Sequence, residues 1–231
     1  MVGDDGVLLS KERMPNLKTI FFMQHTWILA SSSPERKRLL SEILPEFRCV
    51  SPDVNEVHEP GSNPPVWVPQ TNAHLKASFV AEQYPDAWVI GADTVVIFGT
   101  VVFNKPKDLA DAKRMLKLLS GKTHSAVTGL EIVCKAANFR YATTIETKVT
   151  FDPIDDMFID RYLEEVKPLK SAGSYTIRHP LTQTFVHLEG SQTNVSGFPT
   201  EAFRLFRPAT LRTNPIVENR KSTHSFPKQH H

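Results

Sequence analysis

The chain has 231 residues, 40% of them hydrophobic, and a formal net charge of +2. That length can bury a sizeable core as one domain or two merged lobes, while so balanced a charge lacks the concentrated basic face of a general nucleic-acid binder. No apolar run reaches the roughly 20 residues of a membrane span, and two cysteines are too few for a disulfide framework.

Residues 1–24 read as a polar, flexible leader without the pattern of a signal peptide. Cys49 and Cys134 lie in apolar contexts and read as buried free thiols, so the expected setting is cytoplasmic. The structured domain is expected over residues 25–207.

"TWILAS" predicts a short buried strand, and "PERKRLLSEIL" a helix with Ser33 as N-cap and Pro34 at its first position. Leu39, Leu40, Ile43 and Leu44 form the apolar stripe of that helix. Residues 51–70 are a proline-rich loop. "TNAHLKASFVAEQY" predicts a second helix capped by Thr71 or Asn72. "AWVIGADTVVIF" is strand-rich, and "VVIFGTVVF" predicts a hairpin turning at Gly99 and Thr100.

"DLADAKRMLKLLSG" is an amphipathic helix, capped by Asp108, ended by Gly121, with Met115, Leu116 and Leu119 inward. "HSAVTGLEIVC" and "FRYATTIETKVTF" predict two long antiparallel strands. A helix over "DDMFIDRYLEEV", a strand over "FVHLEG" and a closing helix over "PTEAFRLF" follow. This mixed order predicts an α/β fold of α+β character around a central mixed sheet. Residues 208–231 read as a basic flexible tail, and the basic residues from Arg207 to Lys228 as solvated rather than as a nucleic-acid site.

Four junctions could carry chemistry. Ser31, Ser32 and Ser33 open the helix at Pro34, where free N–H groups, the positive end of the dipole and Arg36 make a phosphate cradle or a plain capped helix. Asp93 in "GADTVV" follows a buried strand, and is either a satisfied turn carboxylate or a metal ligand and general base. Glu56, in "SPDVNEVHEP", could join Asp93 in holding a hard cation, with Asp53 and Glu59 as rivals. Lys105, pinned by Pro106, and Lys76, on the second helix, could reach an anion or stay solvated. His124 reads as structural. The zinc, nucleophile-elbow and Walker A patterns are missing, which leaves metal-assisted hydrolysis.

The order of "LASSSPERKRLL", "NEVHEP", "HLKA", "VIGADTVV", "NKPKDLADAKRMLKLLSGKTHSAVTG", "AGSYTI" and "GSQTNVSGFP" resembles the Maf family of nucleoside triphosphate pyrophosphatases, over about residues 27–206. The resemblance implies a long central mixed sheet with two α/β lobes and a cleft between them, like the inosine triphosphate pyrophosphatases. It implies cleavage of a nucleoside triphosphate between its α and β phosphates, with a divalent cation, magnesium or manganese, as cofactor. It makes Asp93 the proton acceptor, and by their residue types Asp93 and Glu56 then hold the cation as metal ligands. Ser31, Ser33, Arg36, Lys76 and Lys105 become phosphate-binding residues. A homodimer is the partner that the resemblance allows. The rival reading is a nucleotide-binding regulator that uses the same cleft without turnover.

The chain departs from the family at base selection. Glu35 stands where the family pattern has arginine or tryptophan, and Arg178 where it has glutamine or glutamate, while Thr94 is retained. Either Glu35 and Arg178 pair and shape the pocket, or they read the base directly, as a glutamate and an arginine can read guanine.

Overall fold

The computed structural model describes residues 25–206. The leader over 1–24 and the basic tail from Arg207 onward lie outside the described residues. A seven-stranded mixed sheet in the order β2-β1-β3-β5-β6-β7, with β4 also on β3, forms the centre. β1 (Trp27–Ala30) pairs in parallel with β2 (Arg48–Val50) and with β3 (Trp88–Phe98). Antiparallel pairing joins β3 to β4 (Val101–Phe103) and to β5 (Thr123–Cys134), β5 to β6 (Phe139–Phe151), and β6 to β7 (Val186–Glu189).

The helices cover both faces. α1 (Pro34–Ser41) and α7 (Thr200–Leu205) pack on one end of the first face, around Trp27, Leu40, Ile90, Phe198 and Phe203. α3 (Leu109–Leu119) and α4 (Asp156–Val166) cover the other end, around Met115, Leu116, Phe151 and Tyr162. α2 (Trp67–Gln83) lies on the opposite face over Ile28, Val89, Val95 and Val127. The two short helices α5 (Pro180–Gln183) and α6 (Gln192–Val195) flank β7.

Local capping chemistry accounts for the helix starts. The Ser33 side chain accepts the Arg36 N–H, the Asp108 side chain accepts the Asp111 N–H, and Asp155 does the same for Phe158. The hairpin turns at Gly99, whose φ of +60° lies in the left-handed region open to glycine. β5 and β6 are the long antiparallel neighbours that their sequence predicts.

Several expectations need correction. α1 ends at Ser41 rather than Leu44, although Leu44 is still buried. α2 begins at Trp67, not at Thr71, because Pro69 falls in the first turn, where a missing N–H breaks no helical bond. Asn72 is therefore a buried residue of the helix and not its cap. Cys49 is exposed on the short outer strand β2, whereas Cys134 is buried; both are free thiols. The strand β2 and the helical turns between 172 and 195 have no period long enough to read from sequence.

Candidate active site

The site forms where β3 changes partner. β1 accompanies β3 over residues 88–91 and β4 accompanies it over 96–98, so among the described residues no strand pairs with 92–95 on that edge. Asp93 and Thr94 sit in this gap on opposite faces of the strand, by the two-residue alternation of side chains. The chain leaving β1 runs through Ser31–Ser33 directly into α1, and that brings the start of a helix to the gap. Ligand sites of open α/β sheets favour such switch points.

Asp93 is buried, held by two hydrogen-bond donors and faced by a second cation. Lys76 Nζ lies 2.7 Å from Oδ1, Asn72 Nδ2 donates to Oδ2 at 3.0 Å, and Arg36 Nη2 stands 3.9 Å from Oδ1. Lys76 also donates to Glu56 Oε2 at 2.9 Å, so its ammonium bridges the two carboxylates. Asn72 additionally clamps the loop that carries Glu56, since its side chain exchanges hydrogen bonds with the backbone of Val57. Asn72 and Lys76 are four residues apart and therefore share one helix face. Asp53 and Glu59 are exposed, and no bond among the described residues brings them to Asp93.

Arg36 links the two faces of the sheet. Its Nε donates to the Gly197 carbonyl at 2.9 Å, and its Nη2 donates to the Thr94 hydroxyl at 3.4 Å while facing Asp93. Burial lowers the pKa of this guanidinium, and the carboxylates of Asp93 and Glu56 oppose the shift. Arginine stays charged throughout.

On the Thr94 side lies a cavity of about 650 Å³, walled on its apolar side by Val96, Ala126 and Tyr175. Ser32, Ser33, Glu35, Arg36, Lys105 and Arg178 are among the residues that line it. Ser31 is not part of the lining: its hydroxyl accepts the Ser33 N–H at 3.1 Å and braces the loop. Asp93, Lys76 and Glu56 lie behind Arg36, outside the lining itself.

A protein-family model for Maf-like proteins matches residues 26–206. The chain belongs to the Maf family. A dTTP/UTP pyrophosphatase of Koribacter versatilis is 40% identical over 184 residues, 79% of this chain and 93% of the relative. Those of Citrifermentans bemidjiense and Bacillus cytotoxicus are 40% and 39% identical, each across 89% of its length and 74% and 75% of this chain.

The three positions expected from the resemblance to select the base, Glu35, Thr94 and Arg178, fall into two groups in this Maf chain. Arg178 Nη1 donates to Glu35 Oε2 at 2.7 Å, so these oppositely charged side chains are paired across the cavity wall. Arg38, one turn along α1, also donates to both oxygens of Glu35. Burial works to raise the Glu35 pKa, but the hydrogen bonds from Arg38 and Arg178 outweigh it, and the net shift is downward. Thr94 is not joined to this pair. Its hydroxyl meets Thr128 at 2.8 Å, Arg36, and the Gly197 carbonyl.

The sequence marks Asn72 only as a candidate cap and Lys170 not at all, yet Asn72 donates to Asp93 and Lys170 lines the cavity. Asn72 would have been visible as the i−4 partner of Lys76 had the helix been started four residues earlier. Lys170 lines the cavity from a loop with no local signal.

Proposed function

We propose that this chain hydrolyses a nucleoside triphosphate between its α and β phosphates, giving a monophosphate and pyrophosphate. The observation that carries the reading is the placement of Asp93 at a gap in the sheet edge, ringed by Lys76, Arg36 and Glu56. The family and the relatives named for dTTP/UTP pyrophosphatase activity support the same reaction here.

The donor set fits a divalent cation such as magnesium or manganese. Glu56 and Asp93 are oxygen ligands, and the Lys76 ammonium already provides positive charge between them. Among the described residues no cluster of three or more His, Cys, Asp or Glu side chains is placed to hold a metal. That suits magnesium, which uses one or two carboxylates and completes its shell with water and substrate phosphates. When bound, the cation would offset phosphate charge and favour the attacking water.

The residues divide the work. Water attacks the α-phosphorus, the bond to the α,β-bridging oxygen breaks, and its electron pair leaves with pyrophosphate. Asp93 takes the proton of the water, held in place by Asn72 and Lys76. Arg36 and Lys105 set positive charge against the phosphates from the cavity wall, Lys76 adds its charge from behind Arg36, and the free N–H groups of α1 add donors beside Ser33. Glu35 and Arg178 satisfy each other and shape the base end of the cavity. We assign pyrimidine triphosphates as the substrate class, with dTTP and UTP foremost.

A pyrophosphate-release assay with magnesium and a panel of nucleoside triphosphates tests this reading. It predicts monophosphate and pyrophosphate in equal amounts, fastest from dTTP or UTP. Nucleotide binding without pyrophosphate release would establish the regulator instead.

A further inference from the structure

The cavity holds a second lysine besides Lys105. Lys170 lines it from the segment between α4 and the helical turn Ala172–Ser174. The other cations of the site are engaged: Arg36 and Lys76 with Asp93 and Glu56, and Arg178 with Glu35. Among the described residues neither Lys105 nor Lys170 is ion-paired with a carboxylate. Two compact positive charges therefore face one cavity unpaired among the described residues, since the Glu35 carboxylate in its wall is taken by Arg38 and Arg178.

The segments that carry them are fastened together. The Gly173 N–H donates to the Asn104 carbonyl at 3.2 Å, which joins the residue before Lys105 to the turn after Lys170. The Asn104 side chain donates to the His58 carbonyl at 2.9 Å and ties both to the loop of Glu56. The turn itself is tightly set. Gly173 has φ +68°, and a Cβ there would meet Val96 at 2.9 Å. Ser174 is buried at φ +65° with its hydroxyl 3.2 Å from the Met115 sulfur. A non-glycine residue in that region is uncommon, and such strain gathers at functional sites.

We propose that Lys170 is a second pyrophosphate-binding residue, gripping the leaving group together with Lys105. The inference rests on the reaction proposed above. When the bond to the α-phosphorus breaks, its electron pair stays on the β-phosphate oxygen, so new negative charge appears on the leaving group. Arg36 and Asp93 occupy the gap in the sheet edge, whereas the two lysines line the cavity beside it.

Titration calorimetry of inorganic pyrophosphate and of UMP into the wild type, Lys170→Met and Lys170→Arg tests it, alongside UTP turnover by each protein. Lys170→Met should weaken pyrophosphate binding by about tenfold, the scale of one charge-assisted contact. UMP binding should be unchanged, kcat should fall more than KM rises, and Lys170→Arg should recover most of the loss. Equal pyrophosphate affinity in Lys170→Met and wild type would overturn the assignment, and so would equal losses for pyrophosphate and UMP. A wild type that releases no pyrophosphate from any triphosphate would instead overturn the underlying reaction.

Discussion

Two buried carboxylates lie on the same face of adjacent strands under the same helix, yet they end in different circumstances. Asp93 is directly opposite Gly129, and Glu131 is directly opposite Gly91. α2 grips each with a pair of residues four apart: Asn72 and Lys76 for Asp93, Gln70 and His74 for Glu131. The glycines allow the approach, since a Cβ at Gly91 would sit 2.2 Å from the Ala73 carbonyl oxygen and one at Gly129 2.4 Å from that of Pro69. The difference is at the strand edge. β3 and β6 flank Glu131 on both sides, and Arg140 closes over it with two hydrogen bonds. Asp93 lies in the stretch of β3 whose edge no strand covers among the described residues, with Arg36 reaching through to the cavity. A buried carboxylate with its pairing complete serves the fold, and one at an interrupted edge is available for chemistry.

Substitutions of the same kind at the two positions should therefore separate. Asp93→Asn keeps the shape and the fold but should reduce kcat for triphosphate hydrolysis by at least about 100- to 1000-fold, the scale of losing one preorganised charged group. Near-normal turnover would remove Asp93 from the mechanism. Glu131→Gln should do the reverse: about 1 kcal/mol of stability lost in chemical denaturation, because the Arg140 and His74 it leaves are half-exposed, with kcat near wild type. A large loss of kcat without loss of stability there would break the comparison.

His124 extends the contrast to a third buried polar group. It packs against Phe151 and Tyr175, and its Nε2 lies 3.1 Å from the Tyr175 hydroxyl. Burial holds its pKa down at about 4 against an ordinary value of 6.5, although the Lys122 backbone favours the charged form. Between these values the unfolded chain binds a proton that the folded chain does not, so stability falls as pH drops through that window. From pH 6.5 to 5 the loss should be about 1.5 kcal/mol. His124→Phe should flatten that slope in denaturation measured against pH, and an unchanged slope would refute the assignment.

A smaller effect than at Asp93 is expected at the cavity wall. Glu35→Arg combined with Arg178→Gln replaces the pair and should shift the kcat/KM ratio further toward UTP and dTTP, by about tenfold. An unchanged substrate profile would take both residues out of base selection.

What was legible in the sequence was local. Ser33 and Asp108 declare their helices through side chains that reach backbone N–H groups three residues on. Alternation runs along β6, whereas β5 is buried almost throughout and shows itself by its long apolar run, and ordered blocks mark the family. The start of α2 was hidden because prolines 64, 65 and 69 read as breakers, although a first turn tolerates them. With it went Asn72, the donor that orients Asp93. The gap at 92–95 depends on where β1 and β4 stop pairing, and residue types do not encode that. The Glu35–Arg178 pair spans 143 positions and was visible only as opposed charges awaiting a geometry.

Hydrolysis of UTP in ¹⁸O-labelled water, followed by mass analysis of both products, tests the central claim most directly. Attack at the α-phosphorus predicts the label in the nucleoside monophosphate and unlabelled pyrophosphate. Label in pyrophosphate or in inorganic phosphate would contradict the account.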